Sequence, residues 1–456
     1  MHNHAPTPHI AVIGAGAAGL TAAKALLDEG VRVTVLEKGD RPGGLWVQGN
    51  ASGLSPAYDS LHLNTSKGRT EFADFPMPAE WEDYPAAAKV AGYLADYSDT
   101  FGVTERIRFG TEVLQVERAA EGWTVMVSDA DGVEELRVDG VVVANGHNWD
   151  PRWPSPQYPG TFDGVQMHAH DYRNAAEQFA GKRVLVVGMG NSAMDIAVDA
   201  SYVSPAPVLL SARHGVHIVP KYLFGRPADA TGAALAFLPW RIRQAIAQTM
   251  LKLAVGLPQG YGLPAPAGGL FQNHPTISDT IMHRLTHGEV APRPGIERFE
   301  GRTVHFTDGT ADEVDVIVWA TGYRVTIPFL SQDWLGENAE AMPLYKRVFH
   351  LDDPSLAFVG LMQSTGAALP VVEAQSKLMA AHVAGRYALP TAQEQRASVR
   401  AAHEAAIERW GSKRPMMRID FDLYVKDLPA ETEAGVARAH RGAPTFSPAP
   451  AAEVLA

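Results

Sequence analysis

Two glycine-rich turns in this chain have the residue types and spacing that hold a pyrophosphate. The first, Gly14-Ala-Gly16-Ala17-Ala-Gly19, follows the apolar run Ile10–Ile13 and opens into Leu20–Leu27. The second, Gly188-Met-Gly190-Asn191-Ser192-Ala193, follows Arg183–Val187. In such a turn the first glycine permits the bend and the second lets backbone N–H groups approach a phosphate. The third small residue lets helix pack on strand. One such turn is a weak signal. Two, each between an apolar strand and a helix, imply two dinucleotides on one chain and electron transfer between them.

The edges of the following strands separate the two ligands. Val31–Leu36 ends in Glu37, whose carboxylate accepts hydrogen bonds from an unphosphorylated ribose and repels a 2′-phosphate, as FAD or NAD requires. Val208–Leu210 ends instead in Ser211-Ala-Arg213, a hydroxyl and a guanidinium suited to the 2′-phosphate of NADP. The assignment is FAD at the first turn and NADPH at the second.

Such turns need strand–turn–helix units to carry them, so the fold class is α/β, with two doubly wound Rossmann-like domains. The FAD-binding domain is expected to be discontinuous, over 8–160 and 316–440. The NADPH-binding domain is expected at 161–315 as an insertion, itself carrying a helical insertion at 222–275. The Pro-rich stretch Pro151–Pro159 reads as a linker. Val314–Trp319, leading into Ala320-Thr321-Gly322-Tyr323, is expected to return the chain to the first domain. Residues 441–456 are rich in Ala and Pro and are expected to be disordered. The segment 233–255 is strongly apolar yet carries Arg241, Arg243 and Lys252. A helical hairpin broken near Pro239, packed on the NADPH domain or a second subunit, is the expectation; an interfacial membrane helix or a tunnel lid is the alternative.

A chain of 456 residues holds two or three domains. Its formal charge of −12 argues against nucleic acid and against a polybasic membrane anchor. Met1–His9 lacks the apolar core of a signal peptide, and no run of 18 uncharged apolar residues occurs, so no transmembrane segment and a cytoplasmic location are expected. Cysteine is absent. That excludes disulfides, thiolate metal sites and a catalytic thiol, and with them the relay of electrons through a flavin-adjacent Cys pair. Electrons reaching a flavin here must leave to oxygen, a small molecule or a protein. His170, His214 and His217 have no ligand spacing, and no metal is expected.

Between the two turns lies Phe162-Asp-Gly164-Val-Gln-Met-His168-Ala-His-Asp-Tyr172, a full match to FxGxxxHxxx[YF]. Together with Gly43-Gly44-Leu45-Trp46, Asn64-Thr-Ser-Lys67, Ala320–Tyr323, Leu344–Phe349, Phe358–Gln363 and Glu373-Ala-Gln375, it makes the chain resemble the flavin-containing monooxygenases, class B flavoprotein monooxygenases, over nearly its whole length. The resemblance implies an NADPH- and O2-dependent cycle through a C4a-hydroperoxyflavin that oxygenates nitrogen or sulfur of small organic molecules. Baeyer–Villiger oxygenation of ketones and indole-3-pyruvate-type oxidative decarboxylation are the alternatives, followed by a plain NADPH oxidase or reductase. A homodimer is common among such proteins.

Residue roles follow from the same resemblance. Gly14, Gly16, Ala17 and Gly19 should hold the FAD pyrophosphate, Glu37 and Lys38 the adenosine side, and Val113 the adenine. Gly44, Leu45 and Trp46 should wrap the flavin. Asn64 is the expected catalytic residue, an amide near flavin N5, with His62 close enough to reach the same space. Gly188, Gly190, Asn191, Ser192 and Ala193 should cradle the NADPH pyrophosphate, and Ser211 and Arg213 its 2′-phosphate. Thr321, Gly322, Tyr323 and Gln363 should lie between or beside the cofactors. Tyr172 falls in the cofactor set, while His168 is expected to fix one domain against the other rather than act as a base.

Overall fold

The computed structural model describes residues 7–233 and 238–448. The first apolar run forms the strand His9–Ile13, buried from Ile10 onward. Burial on both faces is why it reads as continuous hydrophobics rather than as an alternation. It pairs in parallel with Arg32–Leu36 on one side and Gly140–Val143 on the other, inside a seven-stranded sheet. Leu356–Phe358 extends that sheet in parallel, and Phe349–His350 and Leu344–Tyr345 finish its edge antiparallel. The helix Ala17–Asp28 buries Leu20, Ala22, Ala23 and Leu26, packs against the helix Leu369–Val383, and stops at Gly30, whose φ of +74° suits glycine. Thr21 and Ser376 join the two helices by a hydroxyl–hydroxyl bond of 3.0 Å.

A second sheet has five parallel strands in the order Val290–Arg293, Val208–Ser211, Val184–Val187, Val316–Trp319, Val165–His168. The helix Asn191–Ser201 covers it. Val316–Trp319, expected to begin the return to the first domain, is therefore a member of the second sheet. Both sheets ask for a continuous apolar strand, so the pattern of the run cannot say which one it joins. The crossing comes one turn later. There Tyr323–Arg324 pairs with Asp150–Pro151, and the Asn145 amide donates to the Thr326 carbonyl at 3.0 Å.

The Gly/Pro/aromatic excursion after Trp46 docks largely on the second sheet. Tyr58 is buried in that sheet's core and donates to Asp195 at 2.6 Å, and Ser60 donates to Asp199 at 2.5 Å. Farther along, the helix Trp240–Val255 starts at Pro239, and its one fully buried residue is Leu251. Its Trp240 ring stands 6.2 Å from those of Trp410 and Phe271, and Arg243 pairs with Asp420. This part of the expected hairpin thus leans on the C-terminal helices as well as on the NADPH side; residues 234–237 lie outside the described residues. No helix among the described residues is long and apolar enough to cross a membrane. The tail expected to be disordered is packed over part of its length, because Phe446 finds an apolar seat beside the His382 ring, 5.7 Å between centroids. Residues 449–456 lie outside the described residues.

Candidate cofactor sites

The first turn is dictated by close backbone contacts. Gly14 has φ +105°, and a Cβ there would stand 2.7 Å from the Ala144 carbonyl oxygen; one on Gly19 would stand 1.8 Å from the Gly14 oxygen. The helix begins after Gly16 with no side-chain cap, so its first amides have no intrahelical partner and face outward with the positive end of the dipole. Gly44, at φ +58°, lies against Gly16, and the Gly43 amide donates to the Ala15 carbonyl at 2.9 Å. The short turn Gly44–Trp46 is thereby laid over the glycine loop, with Leu45 exposed.

Glu37 is buried, and its two oxygens accept from the Ala15 and Gly39 amides at 2.6 and 2.7 Å. Burial raises its pKa, and the amide bonds oppose that shift. Each oxygen keeps a second lone pair, as ribose recognition needs. The Thr111 amide bonds the Glu37 carbonyl at 2.9 Å and brings the strand Glu112–Arg118, with Val113, to the same edge. Lys38 turns to the surface and pairs with Glu112 at 2.7 Å, which leaves its backbone rather than its ammonium facing this edge.

At the second turn Gly188 has φ +133°, and a Cβ would meet the Ala320 oxygen at 2.4 Å. Nothing lies within 4 Å of a Cβ on Gly190, the residue that caps the helix Asn191–Ser201 without a side-chain bond. That open floor under uncapped amides fits a pyrophosphate. The Asn191 side chain does not face it. Its carbonyl accepts from the Ile277 amide at 2.8 Å and ties the turn to the strand Thr276–Ile277. Ser192 is half-buried and Ala193 is buried.

The 2′-phosphate pair divides. Ser211 is buried, and its hydroxyl donates to the Pro294 carbonyl at 2.6 Å, so the expected phosphate contact from Ser211 is not available. Arg213 is exposed, with its stem over Gly295 and no ion pair among the described residues. Tyr172 also departs from the cofactor set. It is buried, stacked on Phe179 at 5.4 Å, and donates to Asp199 at 2.8 Å, so it belongs to the second core. His168 is buried at the end of its strand, with Nδ1 accepting from the His170 amide at 3.0 Å. Burial lowers its pKa to about 4, and its ring lies 5.5 Å from that of Tyr323. A neutral ring wedged at the crossing between sheets has the geometry of a domain spacer.

Asn64 is half-buried, and its amide makes no hydrogen bond to another described residue. The neighbouring backbone is firmly held: Leu63 N donates to Pro85 O at 3.0 Å, and Lys67 N to Asp83 O at 2.7 Å. His62 is exposed, with Nδ1 2.8 Å from the Ser60 carbonyl. Thr321 donates to the Arg152 carbonyl, and Gly322 turns with φ +82°. Gln363 starts the two-residue strand Gln363–Ser364, paired with Arg418–Ile419, and is half-buried.

A family model described as flavin-binding monooxygenase-like matches residues 7–436. The chain belongs to that family. Flavin-containing monooxygenase 5 of Homo sapiens is 33% identical over 438 residues, covering 92% of this chain and 81% of the relative. Dimethylaniline monooxygenase [N-oxide-forming] 2 of Rattus norvegicus is 32% identical over 447 residues, covering 93% and 82%. Among solved structures, S-allyl-L-cysteine S-oxygenase from Allium sativum superposes with a TM-score of 0.69 at 27% identity, over 97% of this chain and 90% of that one. The closed form of cyclohexanone monooxygenase superposes at 0.74 with 19% identity, over 97% and 100%, a likeness of fold. The protein is an NADPH-dependent flavin monooxygenase that uses FAD.

The monooxygenase also contains contacts that its sequence does not advertise. Ser66, two residues beyond Asn64, donates to Asp229 through its amide at 2.7 Å and its hydroxyl at 3.0 Å. The Tyr84 hydroxyl donates to the Lys221 carbonyl at 2.6 Å, and Tyr222 donates to Asp83. The segment around 221–229 thus clasps the Asn64 loop from the NADPH side. Ser66 stands inside the Asn64–Lys67 motif, but nothing in the sequence couples it to Asp229.

Proposed function

We propose that this monooxygenase oxygenates nitrogen or sulfur centres of small, uncharged-to-cationic organic molecules. The observation that carries the reading is family membership over nearly the whole chain, together with relatives whose names state N-oxide formation and S-oxygenation. Bound FAD, once reduced by NADPH, supplies the activation of O2 and the transfer of one oxygen atom. The chain's own residues then have definite tasks. The uncapped amides after Gly16 hold the FAD pyrophosphate, with Glu37 on the adenosine ribose. The amides after Gly190 hold that of NADPH, and Arg213 its 2′-phosphate. With FAD bound, the Asn64 amide, unpartnered among the described residues, would supply an N–H donor and a carbonyl acceptor at the flavin. Clasped from both sides, the Asn64 loop keeps that amide fixed.

The test supplies FAD-loaded enzyme and NADPH with trimethylamine, a thioether and a cyclic ketone in turn. N-oxide and sulfoxide formed in step with NADPH consumption support the reading; lactone from the ketone with no heteroatom product overturns it. Asn64→Ala should retain FAD yet divert NADPH to hydrogen peroxide, and full coupling in that variant removes Asn64 from the chemistry.

A further inference from the structure

Away from both glycine turns, a cavity of about 400 Å³ opens between the helices Ala392–Trp410 and Phe421–His440. Two guanidinium groups, Arg347 and Arg418, stand in its wall, 5% and 6% exposed. Neither has a carboxylate partner among the described residues. Arg347 donates to the Pro415 carbonyl at 3.4 Å, and Arg418 to the Phe271 carbonyl at 2.8 Å. A carbonyl satisfies one N–H of the five on a guanidinium and neutralises none of its charge. Burial depresses both pKa values, that of Arg418 to about 10. Trp410 lines the same cavity, while its indole N–H is closed off from solvent and has no partner among the described residues. The Arg418 guanidinium lies over its ring at 5.3 Å.

The acids in the wall are already taken. Asp420 pairs with Arg243 and, at 3.6 Å, with Arg409; Asp427 pairs with Lys346 at 2.6 Å. Two buried positive charges therefore stand in the wall of one cavity, and neither is paired with a carboxylate among the described residues. Lys346 and Arg347 also hold φ values of +51° and +58°, a conformation that side-chain-bearing residues adopt at a cost. The remaining wall includes Leu344, Val399, Ala402, Ala406 and Leu423. A ligand matching these features has one carboxylate for the guanidinium groups and an aliphatic body for the apolar side. We propose that this cavity binds a small organic carboxylate with an apolar chain.

Calorimetric titration of the FAD-loaded full chain with octanoate, in saturating NADP+, tests this. Octanoate should bind one to one, octanol should not, and inorganic phosphate should compete poorly because it leaves the apolar wall unfilled. Arg418→Gln should weaken octanoate at least about tenfold, and Arg347→Gln should weaken it by a similar factor. Wild-type affinity in both variants overturns the site. Equal binding of octanol and octanoate, or of phosphate and octanoate, overturns it as well. Should Arg418→Gln fail to fold, Arg347→Gln and the octanol comparison decide alone.

Discussion

Coenzyme preference should rest on Arg213 alone among the described residues. Ser211 has spent its hydroxyl on the Pro294 carbonyl, and the nearby Arg293 is held by Asp312 at 2.6 Å. Arg213 has no such partner, so its guanidinium is free to take a 2′-phosphate. A charge-assisted contact of this kind is worth roughly 1.5–3 kcal/mol, about 10- to 150-fold. Arg213 is solvent-exposed, and screening favours the lower part of that range, about 10- to 30-fold. Arg213→Ala should therefore lower kcat/KM for flavin reduction by NADPH about 10- to 30-fold and change that for NADH less than about twofold. Stopped-flow reduction with each coenzyme reads this directly. In wild type, raising the salt should erode the NADPH preference, and in the variant it should not. Ser211→Ala should keep the preference while lowering stability by about 1 kcal/mol, as a lost buried hydrogen bond does. Equal losses for the two coenzymes in Arg213→Ala, or lost preference in Ser211→Ala, would refute the reasoning.

Three further outcomes follow from the same geometry. Gly190→Ala places a methyl in open space, so it should leave FAD content and Tm unchanged yet raise the NADPH KM; Gly19→Ala drives a methyl into a backbone carbonyl and should yield little folded, FAD-loaded protein. Asp229→Ala removes both Ser66 contacts and should increase hydrogen peroxide per NADPH while flavin reduction stays near wild type; unchanged coupling would show that the loop needs no clasp. His382 is buried, and burial lowers its pKa from an ordinary 6.5 to about 4, so the unfolded chain binds its proton more readily. Its contribution is complete above pH 6.5 and is lost as pH falls from there toward 4, about 2 kcal/mol by pH 5. Urea titrations at pH 7 and pH 5 should show that difference shrink in His382→Gln.

The glycine turns are legible in sequence because backbone contact dictates them. Gly14, Gly19 and Gly188 each sit where any side chain meets a carbonyl, so their identity carries geometry by itself. Glu37 is legible for a related reason: an acid at that strand end offers a separate oxygen to each of the two loop amides. Hydroxyls are different. Ser211 and Tyr172 occupy motif positions that suit a ligand, but each donates instead to a protein acceptor, Pro294 or Asp199, brought close by packing. Strand runs are ambiguous in the same way, as Val316–Trp319 shows: its apolar character says that it is buried, and only pairing with Val184–Val187 says where.

The least legible feature is what fixes Asn64, because the fixing is shared between domains. On one side Leu63 bonds Pro85, and Ala87 bonds Leu61 at 2.8 Å, which ties the loop to the helix Ala87–Thr100 and through it to the first core. On the other side Tyr58, Ser60 and Ser66 bond Asp195, Asp199 and Asp229, all carried by the NADPH half. Burial raises the pKa of Asp195 to about 6, so this carboxylate takes up a proton as pH falls through about 6. A loop anchored in this way cannot follow either domain alone. Rotation of one sheet against the other must stretch one set of bonds or break it, and the Asn64 amide keeps its place only while both sets hold. Docking of the two halves is therefore part of the candidate site's construction, with the His168 ring packed against Tyr323 at the same crossing.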